Sequence, residues 1–234
     1  MLASRTFWVG RNFTLQHKFT PIQSYYASRA SEYDAVYEKP ERQIDLRSIE
    51  QWLPSILQGK RILEIACGTG YWTQFIAPEA SSIYAIDSAE ETLQIARQRI
   101  PASNVSFAID DAYAPRTDER TFNAAFAGFW FSHVLIERQI EFLTGLNKAL
   151  QPGAKVLLLD NVFVEGSSSA ICERDKFGNT YQSRTLADGS RHKILKNFPS
   201  ADQLHALVAN GLGCLPRYTS WHFFWAFEYV VPEH

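Results

Sequence analysis

The stretch RILEIACGTGYW, Arg61 to Trp72, places one carboxylate, Glu64, inside an apolar run that breaks at Gly68-Thr69-Gly70. A buried strand that leaves through so bare a turn into a helix aims the helix's first free N–H groups at a ligand. The glycines let that ligand come close to the backbone. Several kinds of ligand exploit such a turn. No Gly-Lys-Ser/Thr follows, so it is not a P-loop. A dinucleotide turn would want a third glycine at position 73, where Thr73 stands.

Neighbouring acids narrow the choice. Asp87 closes a second apolar run, SIYAID, 17 residues past Gly70, where an acid can take both hydroxyls of a ribose. That feature is shared with nicotinamide-dinucleotide sites. Asp110-Asp111 closes a third run, NVSFAID, where a carboxylate can accept a hydrogen bond from the exocyclic amine of an adenine; Asp110 is slightly favoured over Asp111. Glu64 is costly to bury unless it is paired or near a cation. A sulfonium compound with an α-amino group suits that corner. Cys67 reads as a small turn residue rather than a nucleophile.

The elements that must position these groups alternate. A helical stretch over Tyr25–Tyr37 and a second after Pro40, ending near Gly59, precede the first strand, Arg61–Ala66. Strands follow at Ser82–Asp87, Asn104–Asp110, Phe122–Trp130 and Ala154–Asn161, the last apolar enough for a central parallel position. Ser88 and Glu91 have the spacing of a capping box for the helix between the second and third strands. Ile136, Ile140, Leu143 and Leu150 form a helical stripe. Alternation of this kind predicts an α/β fold with a parallel sheet covered on both faces. It lapses over residues 162–199, where Asp188-Gly189 between two β-capable runs signals a hairpin. A helix at Ser200–Asn210 and aromatic strands in Leu215–Val231 close the chain.

The segments LEIACGTGYW, YAIDSAEETLQIAR, FAIDDAYAP, FNAAFAGFWFSHV and LQPGAKVLLLDN resemble, in order, the successive motifs of class I S-adenosylmethionine-dependent methyltransferases. The resemblance is to the small-molecule branch that includes ubiquinone- and menaquinone-biosynthesis enzymes, and it covers roughly Tyr25–Asn161. It implies a single Rossmann-like domain with a seven-stranded, mostly parallel sheet whose last strand is antiparallel, helices on both faces and an inserted hairpin after strand five. Residues 21–58 then correspond to N-terminal lid helices, and 59–234 to the methyltransferase domain with its insertion at 162–199. The family's acid-x-Gly-x-Gly-x-Gly pattern is kept except at Ala66. By resemblance, Ala66, Cys67 and Gly68 pass their backbone under the amino-acid end of S-adenosylmethionine, and Glu64, on its cost of burial, is counted with the cofactor contacts. Asp87, with Ser88 after it, takes the ribose; Asp110 or Asp111, with Ala112, flanks the adenine; Phe129 lies along the cofactor. The helix YYASRASEYD matches the lid and offers Tyr26, Arg29 and Tyr33 at i, i+3, i+7. His133 follows strand four and faces the methyl group in this fold, as a general base, a pocket wall or a structural residue.

Two other classes use the same features: an NAD-dependent oxidoreductase, which shares the acid after strand two, and a non-catalytic cofactor-binding protein. The acceptor is expected to be a small molecule, and the aromatics Tyr71, Trp72, Trp130, Phe131, Trp221, Phe223, Phe224 and Trp225 hint at an apolar or planar one. A net charge of −2 without a basic stripe past the N-terminus gives no footing for nucleic acid. No run approaches the ~18 apolar residues of a membrane span. The cysteines Cys67, Cys172 and Cys214 have neither zinc nor disulfide spacing, so no metal is expected and a reducing cytoplasm is the simplest setting. Residues 1–20, which carry Arg5, Arg11 and Lys18 and no acid, read as a disordered extension, with a transit peptide as the alternative. The insertion is expected to choose the acceptor or to form a homodimer contact.

Overall fold

A computed structural model describes residues 30–116, 121–185 and 189–233. The strands β1 (Arg61–Ile65), β2 (Ser82–Asp87), β3 (Val105–Ile109), β4 (Phe122–Gly128), β5 (Leu150–Asn161), β9 (Arg217–Ser220) and β10 (Phe224–Val230) form one sheet. Its order is β3-β2-β1-β4-β5-β10-β9. β1 to β5 pair in parallel, and β10 runs antiparallel to both β5 and β9. The strand order reverses between β1 and β4, and open α/β sheets bind ligands in the crevice beyond the carboxyl ends of the strands at such a point.

Period-two alternation sends successive side chains to opposite faces. On one face Ile62, Ile83, Phe126, Leu157 and Phe224 meet Leu46, Ile49, Leu53 and Leu57 of α1 (Gln43–Leu57). On the other, Leu63, Ile65, Ile86, Ala125, Leu158 and Trp225 meet α4 (Gln139–Lys148) and α5 (Ala201–Leu212) through Phe142, Leu146, Leu204 and Val208. Each fully buried leucine or phenylalanine contributes roughly 1.5–3 kcal/mol relative to exposure, and this double cover holds the strand ends, and hence the site, in place.

Several expectations shift in detail. The helix after the glycine turn, α2 (Thr73–Ile76), is a single turn long. Helix α3 (Glu90–Arg99) starts at Ala89 without a side-chain cap, so the Ser88–Glu91 capping box is not formed. Ahead of the helix, the Asp87 Oδ1 accepts the Ala89 N–H at 3.0 Å, because a short acid at a strand end reaches the backbone two residues on. The described part of the N-terminal helical stretch is a 3-10 helix, Ala30–Tyr37; Tyr26, Arg29 and the extension 1–20 lie outside the described residues. The insertion is larger than a hairpin. β6 (Ile171–Arg174), β7 (Thr180–Thr185) and β8 (Arg191–Leu195) make a separate antiparallel sheet. Sequence reading missed β6, a four-residue strand, Ile-Cys-Glu-Arg, with no buried residue and so no alternation long enough to stand out. Asp188 lies outside the described residues, and β7 and β8 are its flanking strands.

Candidate active site

The glycine turn begins at the end of β1, where the Cys67 N–H donates to the Ile86 carbonyl at 3.0 Å. Ala66 takes φ +53° and Gly68 φ +57°. Left-handed backbone costs an alanine about 1–2 kcal/mol, so Ala66 keeps the family turn at the expense of strain. Gly70, at φ +76°, also has no room for a side chain: a Cβ there would stand 2.6 Å from Ile100 Cδ1. Phe129, at the end of β4, is the second non-glycine residue at positive φ, +59°. Such strain concentrates at functional sites. Its ring stacks on Tyr37 at 5.5 Å and on Phe224 at 5.6 Å.

The four acids differ sharply in their surroundings. Asp87 binds the turn, its Oδ2 accepting the Gly68 N–H at 2.9 Å. Burial raises its pKa, and the Ala89 and Gly68 N–H groups oppose that. Glu64 is buried and its Oε2 has no hydrogen-bond partner among the described residues. Burial pushes its carboxyl up to about 8; the nearby Thr73 hydroxyl opposes the shift and the charge of Asp87 adds to it. Asp110 is buried and turned into its own loop. It accepts the Asp111 N–H at 2.9 Å and the Arg116 N–H at 2.7 Å, and pairs with the Arg116 guanidinium at 3.0 Å. Asp111 is exposed, with one oxygen on the Tyr113 N–H at 2.9 Å. Ser88 and Ala112 flank these acids at intermediate burial, and Cys67 is buried with its thiol pushed up by burial.

The N-terminal 3-10 helix is fastened to the turn by a contact that sequence reading missed. Asp34 accepts the Thr69 hydroxyl at 2.6 Å and pairs with Arg99, which also donates to the Thr69 carbonyl at 3.0 Å. Tyr33 belongs to the same 3-10 helix. Asp34 sits in the quoted lid motif, but nothing in its spacing announces a partner 35 residues away.

Beyond Phe129 lies a cavity of about 400 Å³ between the N-terminal segment and the inserted sheet. His133, in the 3-10 turn Phe131–His133 after β4, forms part of its wall. Its Nδ1 donates to the Leu195 carbonyl at 2.6 Å, and burial with Lys196 nearby pushes the imidazole down to about 3. Lys196 donates to Asp160 at 2.9 Å and Ser132 at 2.6 Å, while the Asn197 N–H donates to the Ser132 carbonyl at 2.8 Å. These bonds stitch the insertion to the end of β4. Arg42 reaches Ser167 at 3.0 Å and Asn161 at 2.9 Å, and Lys39 donates to the Ser167 carbonyl. None of the eight aromatics considered from sequence lines this cavity; Phe129 and Phe198 do.

The sheet order, the antiparallel penultimate strand and the acid-flanked glycine turn are those of the Rossmann-like fold of class I S-adenosylmethionine-dependent methyltransferases. A family model described as Methyltransferase domain matches residues 62–153. Demethylmenaquinone methyltransferase of Shouchella clausii is 25% identical over 143 residues, covering 55% of this chain and 60% of the relative. An uncharacterized methyltransferase of Alkaliphilus oremlandii is 26% identical over 136 residues, 58% of this chain and 60% of the relative. The chain thus matches about three fifths of the length of these curated relatives. Among solved structures, the DhpI–SAH complex superposes with a TM-score of 0.75 at 27% identity, covering 92% of this chain and 97% of that one. The DhpI–SAM–HEP complex gives 0.73 at 27% identity, covering 91% and 96%.

The residues present fit S-adenosylmethionine. Its α-ammonium group would give the buried Glu64 oxygen, which lacks a hydrogen-bond partner among the described residues, a cationic partner, and the turn leaves backbone open to its amino-acid end.

Proposed function

We propose that this chain transfers the methyl group of S-adenosylmethionine to a small-molecule acceptor seated in the cavity between Phe129 and the inserted sheet. The observation that carries the reading is Glu64, a buried carboxylate with an unsatisfied oxygen directly before the glycine turn. When bound, the cofactor supplies an electrophilic methyl on a sulfonium. The chain's own groups bind and orient. Glu64 takes the ammonium, the backbone of Ala66, Cys67 and Gly68 carries the amino-acid end, and Asp87 with Ser88 takes the ribose. Asp111, rather than Asp110, faces the adenine beside Ala112, because the Asp110 carboxylate is already engaged by Arg116. Phe129 forms the wall between cofactor and acceptor.

His133 serves as a cavity wall in this reading. An imidazole held near 3 is a poor acceptor of protons at neutral pH, and positioning alone accelerates transfer to a nucleophile that arrives deprotonated. The unpaired state of Cys67, Cys172 and Cys214 supports a reducing compartment such as the cytoplasm.

The test is calorimetry with S-adenosylhomocysteine on the wild type and on Asp87→Ala. Charge-assisted hydrogen bonds lost there amount to roughly 1.5–3 kcal/mol, so affinity drops about 10- to 150-fold. Unchanged affinity in the folded variant rules out the ribose role. Transfer of labelled methyl from S-adenosylmethionine into small molecules of a cell extract separates the enzyme from a non-catalytic binder.

A further inference from the structure

Among the described residues, the acceptor cavity is lined by four cationic side chains, Lys39, Arg42, Arg184 and Lys196, and by no carboxylate. Two acids stand just outside it. Asp160 pairs with Lys196 at 2.9 Å, and Glu41 accepts the Ser167 hydroxyl at 2.7 Å beside Lys39 and Arg42. Two of the four positive charges therefore lack a compensating acid at the cavity. Arg184 carries the clearest sign of a missing partner: its Nε is buried with no hydrogen-bond partner among the described residues, and Nη2 reaches only Gln182 at 3.2 Å. Buried polar groups without partners are rare in folded proteins and call for an explanation.

Resting on the methyltransfer reading above, we infer that the acceptor is an anion, a small molecule bearing a phosphate-like oxyanion of about two negative charges held by Lys39, Arg42 and Arg184. The guanidinium forks of Arg42 and Arg184 match oxyanion geometry. A single carboxylate would leave one cation uncompensated in a partly desolvated cavity, whereas a dianion balances both. The cations also depress one another. Lys39 and Lys196 are held below the usual ammonium range, first by burial; Arg42 beside Lys39, and Arg184 and Arg42 near Lys196, add to this. An anion between them relieves that repulsion. The expectation of an apolar or aromatic acceptor does not fit this wall. Sequence periodicity points at the anion site only weakly: Gln182 and Arg184 share one face of β7, while Lys39 and Arg42 merely flank Pro40.

The probe is inorganic phosphate, titrated into the full-length protein saturated with S-adenosylhomocysteine, with chloride at matched ionic strength as the control. Calorimetry and phosphorus line width both report binding. Phosphate binds the wild type above the chloride control, Arg184→Gln weakens it at least about tenfold, and Arg184→Lys, which keeps the charge, retains most of it. S-adenosylhomocysteine affinity, measured on each variant, shows that the fold is intact. Phosphate indistinguishable from chloride in a wild type that binds S-adenosylhomocysteine overturns the anionic acceptor, and so does an Arg184→Gln protein that binds phosphate as the wild type does. A wild type that binds phosphate but not S-adenosylhomocysteine keeps the anion site and sinks the methyltransfer reading instead.

Discussion

Asp34 and Thr69, 35 residues apart in sequence, are joined across a 2.6 Å hydrogen bond that fastens the N-terminal 3-10 helix to the cofactor turn. Arg99 closes the same contact by donating to the Thr69 carbonyl and pairing with Asp34. The three groups tie the 3-10 helix to the glycine turn, and the expected role of this contact is to latch the helix over bound cofactor. Asp34→Ala is expected to weaken S-adenosylhomocysteine binding about tenfold while shifting global stability by less than about 1 kcal/mol, since the pair is partly exposed. Calorimetry and urea unfolding read the two quantities separately. Binding as tight as that of the wild type disproves the latch.

Glu64 makes cofactor binding depend on pH. Its carboxyl keeps a proton up to about 8 in the folded protein, against an ordinary value of 4.5. Between those values the unfolded chain has lost the proton and the folded chain has not, so stability falls as pH rises through that window, by roughly a few kcal/mol. A bound ammonium reverses the preference and favours the ionised form. S-adenosylhomocysteine affinity should therefore rise from pH 6 towards about 8, with proton release visible as a buffer-dependent heat. Glu64→Gln should abolish both effects. Proton release that persists in that variant assigns the titration elsewhere.

Lys196 holds the inserted sheet to the end of β4 through Asp160 and Ser132. Burial alone would raise the pKa of Asp160, and the ammonium of Lys196 outweighs it and holds the carboxyl below its usual range. Lys196→Met leaves that charge buried without its cation, a loss of roughly 3–5 kcal/mol. Adding Asp160→Asn should recover much of it. A double variant no more stable than the single one shows that the ammonium does not act through Asp160.

The β7–β8 hairpin, whose Gln182 and Arg184 line the cavity, can be shortened between Gln182 and Ile194 without touching the glycine turn. S-adenosylhomocysteine affinity and mass in solution should hold while methyl transfer into extract metabolites is lost. A change in oligomeric state instead assigns the insertion to a homodimer contact, and unchanged methyl transfer together with an unchanged oligomeric state leaves it without a role at the site.

The sequence by itself determined the architecture and the cofactor. Local period-two runs and the Glu64–Gly70 and Asp87 spacing are short-range patterns, and the sheet needs only their order to assemble. Tertiary structure decided which acids are available and what the acceptor cavity is made of. The neighbouring Asp110 and Asp111 look alike in sequence, yet Arg116 engages one and leaves the other exposed. The cap predicted for Ser88 is not formed, and the strand end instead sets the Asp87 carboxylate against the Ala89 N–H. Lys39, Arg42, Arg184 and Lys196 are four ordinary surface-type residues in sequence, scattered over more than half of the chain. Only the packing of the inserted sheet over the end of β4 draws them around one cavity, because an electrostatic site depends on distance in space, and no local periodicity records that distance.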